Sequence, residues 1–200
     1  MADYCTLSEL KQSLRITDNV DNGLLSAAIT AASGWVDGYC ERTFEAAGTA
    51  ITSRDFVPTG RMEVLVIDDA VQVTQVAIDD DLDYSFGEVL TTDDYQLEPV
   101  GQRAGGVTFP YNRIRPMEDG YWPLDLPMGR ATVRVTGRFG WEATPDVVKQ
   151  ATILQAARLF TRLDSPLGVA GFGEMGAMRV SRFVDPDVET LLRPFRRIRF

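Results

Sequence analysis

The sequence contains no histidine, and it is poor in the other residues from which catalytic and metal sites are commonly built. Without imidazole, Ser-His-Asp and Cys-His catalysis are excluded, and most zinc sites lose a usual ligand. The 29 Asp and Glu residues could supply the carboxylate pair of a hydrolase, but no short motif singles out one pair. A carboxylate hydrolase is therefore the weakest functional alternative, and we expect neither an enzyme nor a bound cofactor.

Cysteines and long apolar runs are also scarce. Cys5 and Cys40 lie far apart, so we expect reduced thiols on helical segments rather than a disulfide framework. No apolar run approaches the roughly 20 residues that span a bilayer, and the first ten residues lack a basic-then-apolar signal pattern. We therefore expect synthesis in the cytoplasm and no membrane partner.

Lysine is nearly absent, and the charge is unevenly distributed. Of the 20 basic residues 18 are Arg, and the net charge is −9. Residues 1–100 carry 5 basic and 19 acidic residues, whereas residues 101–200 carry 15 and 10. Such a chain can pair head to tail with its own copies, or offer one face to DNA and another to protein. Neutralisation within one monomer is an equal alternative.

Three segments have helical patterns. Thr6 and Glu9 form a capping box before a short amphipathic helix that ends near Arg15. A longer helix is predicted from about residue 22 to residue 41. The most apolar pattern is Thr144–Leu163, with Thr144 as N-cap and Pro145 at the first helical position. Since most of its circumference is apolar, we predict a central packing helix.

The periodicity changes to two from about Ala50, which indicates β-structure. The predicted strands are Glu63–Asp68, Val71–Asp79, Tyr95–Glu98 and Ala131–Phe139, with a turn at Asp68-Asp69 between the first two. The fold class is therefore α+β. We predict a helical core from residues 1–44 and 142–164, a β-rich insertion at 45–141, and an extended C-terminal arm at 165–200 with a short helix and a basic tail.

The predicted arm combines a glycine-rich apolar stretch with a basic, aromatic end. Residues 165–178 have neither helical nor strand periodicity, so we expect a partner surface to order them. Asp185-Pro186 predicts the start of the short helix. The tail, 193–200, could bind nucleic-acid phosphates, but the acidity of the whole chain favours docking on an acidic surface of another protein.

Two short motifs suggest ligands. The string Gly171–Gly176 matches GxGxxG, but it follows a helix instead of a strand, so a dinucleotide site is not predicted. The run Asp79–Asp83 suggests calcium, yet an EF-hand would need Gly and Glu where Tyr84 and Leu90 stand. A ligand- or ion-binding β module with this acidic loop stays open as an alternative function.

Both ends of the chain resemble tailed-phage head-to-tail connector proteins, also called head completion or adaptor proteins. The opening TLSELKQSLRITDNVDNGLLSAAITAASGWVDGYCERTF resembles their start, and ATVRVTGRFGW followed by a Pro-started helix resembles their late strand and helix. The ending SPLGVAGFGEMGAMRVSRFVDPDVETLLRPFRR is similar to adaptors from phages of actinobacterial hosts.

The resemblance implies a structural virion protein of the head-tail neck. It implies a ring, usually of twelve copies, that joins the portal protein to the next neck protein while genome DNA passes through the lumen without specific binding. The glycine-rich segment and the basic tail would contact the portal or a neighbouring copy. The residues implied at this interface are Gly168, Gly171, Phe172, Gly173, Met175, Met178, Arg193, Phe195, Arg196, Arg197, Arg199 and Phe200.

Overall fold

The computed structural model describes residues 2–101, 103–104, 107–117, 120–125, 128–163, 169–170, 178–179 and 185–197. The chain divides into two compact units. Unit 1 comprises Met1–Glu45 and Thr144–Phe200, and unit 2 comprises Ala46–Ala143. Each unit has its own buried cluster of apolar side chains.

Unit 1 is helical. Its helices are α1 (Leu7–Leu14), α2 (Asn22–Cys40), α3 (Asp146–Leu163) and α4 (Pro186–Leu192), the last followed by a 3-10 turn at Arg193–Phe195. The predicted capping box of α1 is present, because the Glu9 amide donates to Thr6 Oγ1 and the Thr6 amide donates to Glu9 Oε2. No helix in the described ranges is both long and apolar enough to cross a bilayer.

The core of unit 1 lies where α1, α2 and α3 meet, as the pattern of α3 predicted. The buried residues of this cluster are Cys5, Leu10, Leu25, Ala28, Ile29, Ala32, Ile153 and Ala156. The start of α3 differs from the prediction. The helix begins at Asp146, and the Thr144 hydroxyl donates to the Phe44 carbonyl at 2.9 Å instead of capping the helix.

Unit 2 contains the sheet structure and one short separate hairpin. Its strands are β1 (Thr52–Phe56), β2 (Leu65–Ile78), β3 (Glu88–Val89), β4 (Tyr95–Glu98), β5 (Arg103–Ala104), β6 (Val107–Thr108), β7 (Tyr111–Pro116) and β8 (Val133–Phe139). The six-stranded antiparallel sheet has the order β1-β8-β2-β7-β4, with β3 also paired to β2. Among the described strands, β5 and β6 pair only with each other. One face is buried around Trp122, Ile67 and Val135.

The turn predicted at Asp68-Asp69 is wrong, because β2 runs through both residues as one strand of 14 residues. Both carboxylates have partners that the local sequence does not reveal. Asp68 is exposed and pairs with Arg54 at 2.6 Å. Asp69 is buried, and its carboxylate accepts a hydrogen bond from Trp141 Nε1 at 3.2 Å. A buried acid with a partner is compatible with a strand interior.

The chain after unit 2 returns to the helical core. A two-residue pair, β9 (Val169–Ala170) with β10 (Met178–Arg179), precedes α4. Helix α4 packs against α3, and Val188 and Leu192 are fully buried. As predicted, Asp185 caps α4, since its carboxylate accepts the Asp187 amide at 2.9 Å, and Pro186 occupies the first helical position.

Candidate functional site

The predicted basic end of the chain is anchored to unit 1 by an aromatic cluster that consists of Tyr4, Phe44 and Phe195. Phe44 is fully buried and meets Tyr4 edge-on at 5.8 Å and Phe195 edge-on at 5.9 Å between ring centroids. The Arg197 amide donates to the Cys40 carbonyl at 3.0 Å. Phe195 therefore packs inside its own chain, and its ring is not offered to a partner in this conformation.

The anchor leaves two of the predicted interface cations at the surface. Arg193 and Arg196 are exposed, and Arg197 is partly buried. The Arg196 guanidinium lies 5.4 Å from the ring centroid of Tyr39, which itself stacks on Trp35 at 5.1 Å. Burial and the neighbouring Glu189 raise the pKa of Tyr39. The described part of the tail thus forms a basic, aromatic surface, and guanidinium groups in such a setting suit pairing with carboxylates and stacking on rings.

The remaining interface predictions fall in the glycine-rich segment or at the chain end. Met178 forms part of β10, opposite Ala170. The other predicted residues lie outside the described residues: Gly168, Gly171, Phe172, Gly173, Met175, Arg199 and Phe200. The interface role of all twelve residues stays a prediction.

The acidic loop predicted as an alternative site does bring its carboxylates together. One oxygen each of Asp79, Asp81 and Asp83 lies within 4.8 Å of the others. The buried Asp79 carboxylate, however, accepts the amides of Asp83 and Tyr84, both at 3.0 Å. These bonds stabilise the turn, so the geometry accounts for Asp79 as a structural residue.

The aromatic cluster includes a polar network that the sequence did not reveal. The Tyr4 hydroxyl donates to Asp37 at 2.5 Å and accepts the Phe44 amide at 2.8 Å, while the Tyr4 amide donates to Ser33 Oγ at 3.1 Å. Burial raises the pKa of both Tyr4 and Asp37. Tyr4 lies 29 to 40 positions from these partners along the chain, so no local spacing could have predicted the network.

The network and Thr144 hold together the points at which the chain leaves and re-enters unit 1. Phe44 precedes the exit at Glu45, and its carbonyl accepts the hydroxyl of Thr144 at the re-entry. In unit 2 the corresponding ends also meet, since the Ala47 amide donates to the Trp141 carbonyl at 2.6 Å. In each unit, the two chain segments that lead to the other unit are therefore hydrogen-bonded to each other.

Comparison with known proteins finds a match to one family model and similarity to solved structures. A family model described as phage gp6-like head-tail connector protein matches residues 4–109. A chain in the neck of an empty gene transfer agent particle, computed with C6 symmetry, is similar in structure at 18% identity and a TM-score of 0.52. A chain in the virion of a native gene transfer agent particle gives 20% identity and a TM-score of 0.50. Both alignments cover 97% of this chain and 90% of the other chain. No curated protein sequence matches.

Proposed function

Because the chain belongs to the phage gp6-like head-tail connector family, we propose that it forms a ring that joins the portal to the next neck protein and lets the genome pass. The family match makes the chain a structural virion protein of the neck and not an enzyme. The observation that carries the proposal is this match, which spans the helical start of the chain and continues into the sheet.

Two further observations support the ring. The similar gene transfer agent neck was computed with C6 symmetry, which is compatible with either six or the proposed twelve copies around the axis. The chain is also acidic overall, with a net charge of −9. An acidic lumen would repel phosphates and keep a passing genome from adhering.

The pattern of buried and exposed side chains supports a binding role for the C-terminal surface. Phe195 stabilises the position of the tail, whereas the exposed Arg193 and Arg196 are available to an acidic segment of the portal or of a neighbouring copy. Deletion of the whole predicted arm, 165–200, would remove Val188, Leu192 and Phe195 from the core. Substitution of the two arginines is therefore the cleaner test.

The experiment is the native mass of the full-length protein, alone and mixed with its portal. We expect a ring-sized species in at least one sample, and we expect Arg193→Glu with Arg196→Glu to weaken attachment to the portal. The control is Arg15→Glu with Arg61→Glu, which changes the net charge equally at two other exposed arginines. A monomer in both samples would overturn the ring, and equal attachment of both variants would overturn the role of the tail.

A further inference from the structure

Strand β1 forms one border of the six-stranded sheet, and its outer backbone edge has no partner among the described residues. Thr52 to Asp55 are all exposed, and Phe56 is partly buried. An open strand edge presents a row of amide donors and carbonyl acceptors to any strand that arrives beside it. The border is therefore competent to extend the sheet.

Two features that often protect an edge, a proline and a bulge, are missing from β1. The strand contains no proline, and its register with β8 continues without a bulge from Thr52↔Gly137 to Phe56↔Val133. Its charges are paired inside unit 2, since Arg54 binds Asp68 at 2.6 Å and Arg134 binds Asp55 at 2.7 Å.

Exposed apolar side chains flank the strand instead. Ile51 precedes it with 56% of its surface exposed, and Val57 follows it with 52% exposed. A partner strand placed beside β1 would cover both side chains, which favours association.

The opposite border of the same sheet is strand β4, which pairs with β7 and with no other described strand. It has four residues, against five in β1, and the exposed Val100 follows it closely with 73% of its surface accessible. Each strand between the borders is antiparallel to the next, so β1 and β4 run in the same direction.

We propose that β1 of one copy pairs in parallel with β4 of the next copy, so that the sheets join edge to edge around the ring. The inference rests on the proposed ring, because a cyclic assembly of more than two copies needs two different surfaces on one chain that fit each other. Two open borders with one strand direction, similar lengths and apolar flanks meet that need. A twofold dimer would instead place β1 against β1 in antiparallel orientation.

The test is covalent linkage of the two borders in the full-length protein, under the conditions in which the ring forms. Ser53 and Gln96 are exposed and lie opposite Thr136 and Arg115, on the face of the sheet that faces away from Ile114 and Val135. Neighbouring strands lie about 4.8 Å apart, so a short bis-maleimide can bridge Ser53→Cys and Gln96→Cys even if the register shifts slightly. Both native cysteines are buried.

The double variant is expected to give a ladder of covalent oligomers up to the size of the ring. The matched control combines Gln96→Cys with Thr74→Cys, an exposed residue of the central strand β2, and should give no ladder. A ring without a ladder in the double variant would overturn the β1–β4 pairing and leave the ring intact. A covalent dimer from Ser53→Cys alone would overturn it by showing β1 against β1. A monomer in every sample would overturn both the ring and the pairing.

A second pair of variants tests the apolar flank without chemical linkage. Ile51→Asp should raise the protein concentration needed for assembly by about tenfold, because it removes one apolar side chain from the joined edge. Val66→Asp is the control, since Val66 is similarly exposed, at 61%, but lies in the central strand. Equal effects of the two variants, or no effect of Ile51→Asp, would contradict the proposed edge.

Discussion

Contacts of a few single residues connect the first and last segments of unit 1. The Tyr4 hydroxyl serves both the Asp37 carboxylate and the Phe44 amide. Phe44 in turn supports Phe195 and accepts the hydroxyl of Thr144. One tyrosine near the start of the chain thereby contributes to the position of the basic tail near its end.

Tyr4→Phe should destabilise the protein by about 1–3 kcal/mol, because the buried amide of Phe44 loses its acceptor while the ring contact remains. The measurement is the free energy of unfolding in urea. Tyr84→Phe is the control, because Tyr84 is half exposed and should change this free energy by less than about 0.5 kcal/mol. Equal effects of the two variants would contradict the structural role of the Tyr4 hydroxyl.

The raised pKa of Asp37 predicts a pH dependence of stability. Burial is the main cause and Glu45 adds to it, whereas the hydrogen bond from Tyr4 and the N-terminal amine act in the opposite direction. The folded protein holds this proton to a higher pH than the unfolded chain does. Protonated Asp37 therefore makes its full contribution to the free energy of unfolding below the ordinary carboxyl pKa of about 4. This contribution is lost as the pH rises through the pKa that Asp37 has in the folded protein.

Asp37→Asn should flatten this decline while keeping an acceptor for Tyr4. The measurement is the free energy of unfolding at a series of pH values between about 4 and 7. An unchanged slope in the variant would show that another group causes the pH dependence.

Glycines 38 and 137 illustrate what the sequence can and cannot reveal about close packing. Gly34 and Gly38 lie four residues apart in α2, a spacing that predicts the close approach of another backbone, but no atom lies within 4 Å of a Cβ built at Gly38. At Gly137 in β8, which had no special signal, a Cβ would lie 2.1 Å from the Gln72 carbonyl oxygen. The close approach depends on strand pairing, and strand pairing is not local in sequence.

Gly137→Ala should therefore lower the free energy of unfolding by about 1–3 kcal/mol, through a clash that the backbone of β2 cannot avoid. Gly38→Ala should raise it by about 1 kcal/mol, because alanine is the better helix former and the space is open. Thermal and urea unfolding of both variants test the contrast. Equal signs for the two substitutions would contradict it.

At the scale of elements, helices were predicted better than strands. The capping box of α1, the range of α2 and the packing role of α3 all follow from caps and from periodicity within 20 residues. The strand β1 was not identified individually, and β2 was divided at Asp68-Asp69 because two acids resemble a turn. Their actual partners, Arg54 and Trp141, are distant in sequence.

The 3-10 turn after α4 contains one buried residue, Phe195, and one exposed arginine, Arg193. Phe195→Ala should cost about 3 kcal/mol or more, because its ring is 97% buried against Phe44 and α4. Arg193→Ala should leave the free energy of unfolding within about 0.5 kcal/mol, because its side chain is exposed. Urea unfolding compares the two variants, and a small loss for Phe195→Ala would argue that the tail is not anchored.

At the scale of the whole molecule, each unit has a hydrogen bond between the two segments through which the chain enters and leaves it. Replacement of residues 46–143 by two glycines should therefore leave a folded helical unit 1, because Phe44 and Thr144 are already hydrogen-bonded. Circular dichroism and a cooperative thermal transition are the measurements. A chain that shows no cooperative transition would mean that unit 1 depends on unit 2.

The functional class was accessible from sequence because the resemblance depends on the order of helices and strands at both ends of the chain. The family match over residues 4–109 confirms it. The candidate interfaces were less accessible. The basic residues of the tail could be identified from composition, but the burial of Phe195 and the open edge of β1 depend on contacts between distant segments.

The burial of the two cysteines has a consequence for the life of the particle outside its host. Burial raises the pKa of the Cys5 thiol to about 11 and that of the Cys40 thiol to about 12. At neutral pH both therefore stay protonated, and the thiolate is the form that reacts with oxygen and with disulfides. In a neck built from this chain, the two thiols are therefore protected from oxygen and from disulfide exchange when the particle leaves the reducing interior of a cell for aerated water.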